Sequence, residues 1–451
     1  MKKLSKIFIV IFMLISLLPS LGMLIFGASG PAANEILTPK PKLTGSDGEF
    51  NTEYLNQLSD YFADRFAFRQ EYISLWSALN AKLLNTSVEE QVLIGKGPWL
   101  FYSSTLDDYT GKTLSQREIY YAARNIFLMQ EYARSTGAEF VFTLAPNKNS
   151  LYPEFMQQGN DRAGKNNAAL LELALSEQGV NYADLFSAFD RPEILYYSQD
   201  FHWNDKGAAL AADVLNGSLG RDSDYFSADF AEGTGHRGDL YEMLYPAGKH
   251  LEANPVYSGV LSYSCAADPN GGNAITIDTS GAGEGSLLCY RDSFGISLYP
   301  YLADSFETAR FSRAGSYDLC ALSELGCSDV IIEIVERNIP QLAVKAPAFP
   351  APARDMIVYS LGDMPFEAKL SGSKSADGRQ LVCFSAVIAE SSMDAESCAY
   401  VLSDKGAFEA CITAAGDGNV SLTAWIDEGS EIQGIIIKSE GEYILHPGPI
   451  A

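Results

Sequence analysis

The order of apolar and polar positions divides the chain into regions of different period. Ile7 to Phe26 is an uncharged, strongly apolar run, about as long as a helix needs to cross a bilayer. Gly30 to Glu49 is rich in proline, glycine and small residues and reads as a linker. From Asn51 to Leu84 apolar and aromatic residues return at helical spacing, among them Leu55, Phe62, Ile73, Trp76, Leu79 and Leu83. Asp64 to Arg69 reads as the joint between two helices, and Val92 to Tyr102 as a hairpin around a Gly-rich turn. Beyond it the pattern alternates. Helices are predicted over 117–135, 165–178, 208–215, from 298 and over 317–325; strands over 139–144, 180–185, 286–290, 308–311 and 329–335. Such alternation predicts an α/β fold with a mostly parallel sheet flanked by helices. After Pro365 the helical period stops. Six short strands between 382 and 445 predict a small all-β, sandwich-like domain. The expected organisation is a transmembrane anchor or signal peptide (1–29), a linker (30–50), an α/β domain with an N-terminal helical extension (51–365) and the β domain (366–451).

Charge narrows the partners. The chain has 451 residues and a formal net charge of -25, which argues against nucleic acid, whose phosphates would be repelled. Lysines cluster ahead of the apolar run, so the N-terminus should stay in the cytoplasm and the rest outside. Gly27 to Gly30 offers small residues for cleavage, but the run is longer than a usual signal core. A retained single-pass anchor is therefore expected, with a secreted form as the alternative. The seven cysteines show no metal-site spacing and predict no disulfide framework. No metal or nucleotide signature is present, and no cofactor is expected.

One short stretch carries chemistry. Asp200 stands two residues before His202, one of only four histidines, and a predicted helix follows. A carboxylate so placed can fix the imidazole tautomer and steady its positive charge. It can also be no more than a helix cap, since Asp and Asn favour helix starts. A nucleophile candidate, Ser293, lies in Arg291-Asp292-Ser293-Phe294-Gly295 where a predicted strand ends. A second Asp-Ser-Phe occurs at 304–306, without the following glycine. Pro146-Asn147-Lys148 and Glu336-Arg337-Asn338 also follow predicted strands, and open α/β sheets build their sites beyond strand carboxyl ends.

Asp200-Phe201-His202-Trp203 followed by Asn204-Asp205-Lys206-Gly207, and Asp292-Ser293-Phe294 later, resemble the SGNH-hydrolase-like alginate O-acetyltransferase family of the AlgJ/AlgX type and the related DHHW proteins. Asp64 to Arg69, Gly95 to Phe101, Pro146-Asn147-Lys148, Tyr152-Pro153, Gly238-Asp239-Leu240 and Glu336-Arg337 stand in the family's order. Phe201 stands where DHHW proteins have a second His, and Arg291 where the AlgJ-like turn has Gly. The resemblance implies an SGNH-like fold with the Asp and His ahead of the Ser, a permuted order. It implies Ser293 as nucleophile, His202 as base and Asp200 as its orienting acid. Asn147, Lys148, Arg337 and Asn338 are candidate oxyanion or substrate groups by strand-end position alone, with surface loop or ion pair as the alternative. Trp203 is a candidate sugar wall or a core residue. The implied activity is transfer of acetyl groups to an exported polysaccharide, with a membrane-bound O-acyltransferase supplying them. A secreted carbohydrate acetylesterase and a non-catalytic glycan-binding scaffold remain the alternatives. The β domain could be structural or carbohydrate-binding.

Overall fold

The structure is a computed structural model that describes the chain apart from residues 1, 32–35, 46–47, 158, 266–272, 359 and 449–451. Helix α1 runs over Lys2–Phe26, and its Ser5–Phe26 part, about 33 Å at 1.5 Å per residue, is long and apolar enough to cross a membrane. Two helices follow, α2 (Tyr54–Ala63) and α3 (Arg69–Leu84). Phe68 adopts a left-handed backbone with φ of 65° and breaks them apart at the expected joint. Strands Val92–Ile94 and Leu100–Tyr102 form the hairpin.

The central sheet has seven strands: β1 (Glu139–Ala145), β2 (Tyr182–Ala183), β3 (Tyr263–Cys265), β4 (Thr276–Gly281), β5 (Ser286–Tyr290), β6 (Thr308–Ser312) and β7 (Asp329–Val335). Their spatial order is β2-β1-β7-β5-β6-β4-β3. Pairing is parallel from β2 to β6 and antiparallel at β4 and β3. The middle strands β1, β5 and β7 are buried on both faces, which is why they read as unbroken apolar runs. Helices α4 (Gln116–Ser135) and α5 (Asn167–Gln178) cover one face. Helices α6 (Asp205–Ser218) and α8 (Gly295–Ser305) cover the other, with the short α7 (Asp239–Leu244) beyond the strand ends.

Two expected elements differ. The helix predicted over 317–325 is reduced to 322–325. Asp318 bridges to Ala348 and its carboxylate accepts the Cys320 N–H, a local bond that competes with helix. The strand predicted over 180–185 is two residues long, and Asp184 caps a helical turn over Leu185–Phe189 instead.

The C-terminal strands are β8 (Glu367–Ala376), β9 (Arg379–Ala389), β10 (Ala399–Ser403), β11 (Gly406–Gly416), β12 (Asn419–Asp427), β13 (Ile432–Ser439) and β14 (Glu442–Pro447). They form one hydrogen-bonded path with a corner at β11, whose first half pairs with β10 and whose second half pairs with β12. A strand shared in this way joins the two layers of a sandwich. Ala353–Arg354 pairs with β11 and Ser360–Leu361 with β14, so this sheet recruits chain ahead of residue 366. It is fastened to α4. The Asn125 side chain exchanges bonds with the Ile412 backbone at 2.9 and 3.2 Å, as a neighbouring strand would. Buried Glu409 takes Arg124 at 2.7 Å and Arg354 at 2.8 Å.

Candidate active site

Parallel register puts the carboxyl ends of β1, β5 and β7 on one side of the sheet, with Val335 beside Ala145 and Ile332 beside Tyr290. Ser293 stands just past the end of β5, in a turn pinned by Asp292. One Asp292 oxygen accepts the Phe294 N–H at 2.9 Å; the other accepts the Val335 N–H at 2.8 Å and the Asn338 amide at 3.1 Å. The Asp292 N–H goes to buried Glu333 at 3.1 Å. Glycine is required at 295, because a Cβ there would lie 2.4 Å from the Arg291 side chain. The Ser293 backbone N–H has no acceptor among the described residues, and it is a candidate oxyanion donor.

His202 arrives on a narrow loop closed by the Tyr196–Trp203 bridge and the Asn204 N–H to Leu195 C=O bond at 2.8 Å. Asn204 caps α6 through the Gly207 N–H at 3.0 Å, so the cap expected of this motif is made by Asn204, and Asp200 is left for other work. The loop is held from beneath by Lys148, whose ammonium donates to the carbonyls of Tyr197 (3.1 Å), Ser198 (2.9 Å) and Asp200. Burial pushes the Lys148 pKa down to about 7, against the pull of Asp200 and Glu252. Three carbonyls nevertheless call for three donors, which only the ammonium has. From the side, the Glu252 carboxylate accepts the Ser198 N–H at 2.7 Å and the Gln199 N–H at 3.1 Å. Trp203 ties this loop to the nucleophile turn: its buried indole N–H reaches Phe294 C=O at 3.1 Å and Ser297 Oγ at 2.8 Å.

The two stretches meet. Ser293 Oγ lies 2.9 Å from His202 Nε2, and Asp200 Oδ1 lies 2.8 Å from His202 Nδ1. A carboxylate on Nδ1 keeps the proton there and leaves Nε2 as acceptor for the Ser293 hydroxyl. Asp200 is buried and His202 partly open to solvent. Burial alone would raise the Asp200 pKa; the charges and hydrogen bonds of His202 and His236 outweigh it and hold the carboxyl well below its usual range.

His236 is a participant the motifs did not reveal. Its Nε2 lies 2.8 Å from Asp200 Oδ2, which also accepts the Asp239 N–H at 3.1 Å. Its ring stacks on Tyr197, 3.9 Å between centroids. Burial lowers the His236 pKa, but the Asp200 bond and charge reverse this and raise it overall. Burial, then the charge of Asp200, raise Asp239 to about 6, and its carboxylate stands 3.8 Å from His202 Nδ1. Asp200, His202 and Asp239 are close enough to share a cation, but both His202 nitrogens are already engaged by Asp200 and Ser293.

The remaining candidates are engaged with other partners. Lys148 is a buried strut and not an oxyanion donor. Asn147 is buried with its N–H on Glu336 at 2.7 Å. Asn338 holds Asp292. Arg337 lies over Phe201, 4.8 Å from the ring centroid, and burial lowers its pKa. Trp203 is 1% exposed, so its face cannot stack on a sugar. Ser305 of the second Asp-Ser-Phe bonds Asn216 and Tyr225, a structural latch.

The Ser293–His202 pair opens into a cleft of about 740 Å³ whose walls include Tyr197, Phe201, Asn254, Ile296 and Arg313. A groove of about 850 Å³ between α3 and the hairpin, lined by Lys82, Gly97, Tyr241 and Tyr245, contains no acid–base pair among the described residues.

The Ser293 turn at the end of a central strand, with the Asp200–His202 loop facing it, sits in an SGNH-like α/β fold. Residues 92–274 match the family model of the SGNH hydrolase-like domain of acetyltransferase AlgX, a span that includes Asp200 and His202 and stops short of Ser293. Over that span the chain is similar to the AlgJ/AlgX-like proteins. It is 23% identical over 226 residues to the probable alginate O-acetylase AlgJ of Pseudomonas syringae, covering 47% of this chain and 54% of that protein. With the Pseudomonas fluorescens protein of the same name it shares 20% over 224 residues, 45% of this chain and 55% of that one. The chain thus spans about half the length of the curated relatives it matches. Among solved structures, Bacillus cereus PatB1 with a sulfonyl adduct is similar at TM-score 0.44 and 16% identity, covering 55% of this chain and 95% of that one. Pseudomonas aeruginosa AlgX is similar at TM-score 0.38 and 14% identity, covering 78% and 91%.

Proposed function

We propose that this chain is an extracytoplasmic O-acetyltransferase that moves acetyl groups onto a cell-surface or exported polysaccharide through Ser293, His202 and Asp200. The observation that carries the reading is the unbroken line from Ser293 Oγ through His202 to Asp200, 2.9 and 2.8 Å. In the first half-reaction Ser293 Oγ attacks the acetyl carbonyl while His202 Nε2 takes its proton. The oxyanion forms against the Ser293 N–H, and the leaving alcohol departs with the proton from His202. In the second, a sugar hydroxyl gives its proton to His202, attacks the acetyl-serine, and Ser293 recovers its hydrogen. Asp200 orients the ring and balances its charge without itself being protonated.

Asp200 and His202 come before Ser293 in the chain, which is the permuted order. On this reading residues 1–29 are a retained single-pass anchor, 30–50 a linker and 51–365 the catalytic unit. The sheet placed at 366–451, with its added strands from 353, is a buttress on α4. A membrane-bound O-acyltransferase supplies the acetyl groups. The full chain, incubated with p-nitrophenyl acetate and candidate glycans, should move acetyl to a sugar hydroxyl, read as an added acetyl mass on the glycan. Ser293→Ala should move none. Acetate release with no acetylated glycan would assign an esterase, and neither product from a folded protein would assign a scaffold.

A further inference from the structure

We propose that the outward face of α3 docks on the lipid surface at the outer end of α1, so that the catalytic body rests against the bilayer. The proposal goes beyond the acetyl-transfer reading and shares with it only the retained anchor.

Helix α3 turns an apolar stripe outward, away from the body. At about 100° per residue, Tyr72, Leu75, Trp76, Leu79 and Leu83 fall on one stripe. Leu75, Trp76, Leu79 and Leu83 are 59, 60, 44 and 73% exposed. The opposite side carries small residues and is the one fixed to the body. Ser77 is buried, Ser74 Oγ accepts the Ala247 N–H at 2.9 Å, and Ala78 and Ala81 line the groove facing the hairpin. Soluble helices turn such a stripe to the core. An exposed apolar face of this kind marks an interaction surface.

Continuity with α1 identifies the occupant. The Phe26 ring at the end of α1 packs edge-on against Phe68, 5.5 Å between centroids. The Ser29 N–H bonds Arg65 C=O at 3.0 Å, and Gly22 leaves no room for a Cβ beside Ala67. The joint from which α3 starts is therefore seated on the last turns of the apolar helix, where a membrane-spanning segment leaves the hydrocarbon. Tryptophan favours that depth, and the flanking Arg69 and Lys82 can carry their charges out to water along apolar stems. With a net charge of -25 the body gains nothing from anionic lipid, so the contact is apolar and should resist salt.

The test uses the full chain in phosphatidylcholine vesicles with and without bromine on the acyl chains. The protein has four tryptophans, of which Trp99 and Trp203 are buried and Trp425 packs under Lys374. Sedimentation with vesicles after a high-salt wash reports the anchor; bromine quenching of Trp76 reports the docking. The expected result is sedimentation with bromolipid quenching that disappears in Trp76→Phe. Leu75→Asp with Leu79→Asp, both at exposed positions, should abolish the quenching and leave sedimentation intact. Sedimentation with equal quenching in wild type and Trp76→Phe would overturn docking while the anchor stands. Crosslinked dimers with an unquenched Trp76 would assign the face to a second copy, which also overturns it. Failure to sediment would remove anchor and docking together, and leave acetyl transfer to be judged by its own assay.

Discussion

On the proposed mechanism, Asp200→Asn should cost far more in rate than in folding stability. Asp200 accepts four bonds: the His202 N–H at 3.0 Å and Nδ1 at 2.8 Å on one oxygen, and His236 Nε2 at 2.8 Å and the Asp239 N–H at 3.1 Å on the other. An asparagine keeps one acceptor oxygen. Turned towards His202, it leaves its NH₂ facing the Asp239 N–H, and that partly buried donor loses its partner for about 1–3 kcal/mol. Turned the other way, the NH₂ faces Nδ1 and forces the proton onto Nε2, so the ring cannot accept from Ser293. The wrong tautomer costs about 10⁴-fold in rate, about 5.5 kcal/mol of barrier. In both orientations the imidazolium loses its anion. The expected outcome is a fall in kcat/KM for p-nitrophenyl acetate of at least about 10³-fold, with a loss of folding stability of about 1–3 kcal/mol by urea titration. A folded Asp200→Asn protein within about tenfold of wild-type kcat/KM would refute the chain of reasoning from Asp200 to Ser293.

The other predictions concern its surroundings. A sulfonyl fluoride should add one mass tag at Ser293 in the wild type and far less in His202→Ala, because the attacking oxygen then keeps its proton. His236→Gln retains a donor for Asp200 but not the charge. Since the folded pKa of His236 is raised, its charge stabilises the fold fully below about pH 6.5 and that gain is lost as pH climbs past the folded value. The urea midpoints of wild type and variant should differ most in acid and converge in mild alkali. Asp239, with a folded pKa of about 6, is a cost that appears as pH rises from its ordinary range through about 6. Its side chain is 42% exposed, so after solvent screening Asp239→Asn should gain about 1 kcal/mol above that pH. Glu409→Ala strips the buried partner from Arg124 and Arg354 and should cost about 3–5 kcal/mol in chemical denaturation.

What could be read from the sequence follows from how local each signal is. Asp200 and His202 are two residues apart in a motif with its own cap, and Ser293 follows a largely apolar strand in a polar turn, so each was visible alone. That the two stretches meet is a matter of topology, 91 residues of chain folding across β4 and β5. His236 lies on a loop with no periodic pattern; its only signal was that histidine is scarce here and that Gly238-Asp239-Leu240 follows it. Position after a strand recommended Asn147 and Lys148, but position does not tell which way a side chain turns. Lys148 turns inward because three carbonyls of the Asp200 loop wait there. The edge strand β8 escaped notice because it is largely polar and exposed, whereas the half-buried alternation of β12 announced itself.

The bond between Asn125 and Ile412 has a consequence in time. The two residues are 287 positions apart, yet the helix bearing the first lies directly on the central sheet. A chain made from its N-terminus at about 5–20 residues per second delivers the second roughly 15–60 s after the first. Until then Tyr121 and Asn125 lack the partners that cover them in the finished protein, where Tyr121 is 2% exposed. The α/β unit therefore reaches its mature surface only when the last strands arrive. Until then its flank is a hydrophobic and charged face open to chaperones, to proteases and to the same face of the chain beside it.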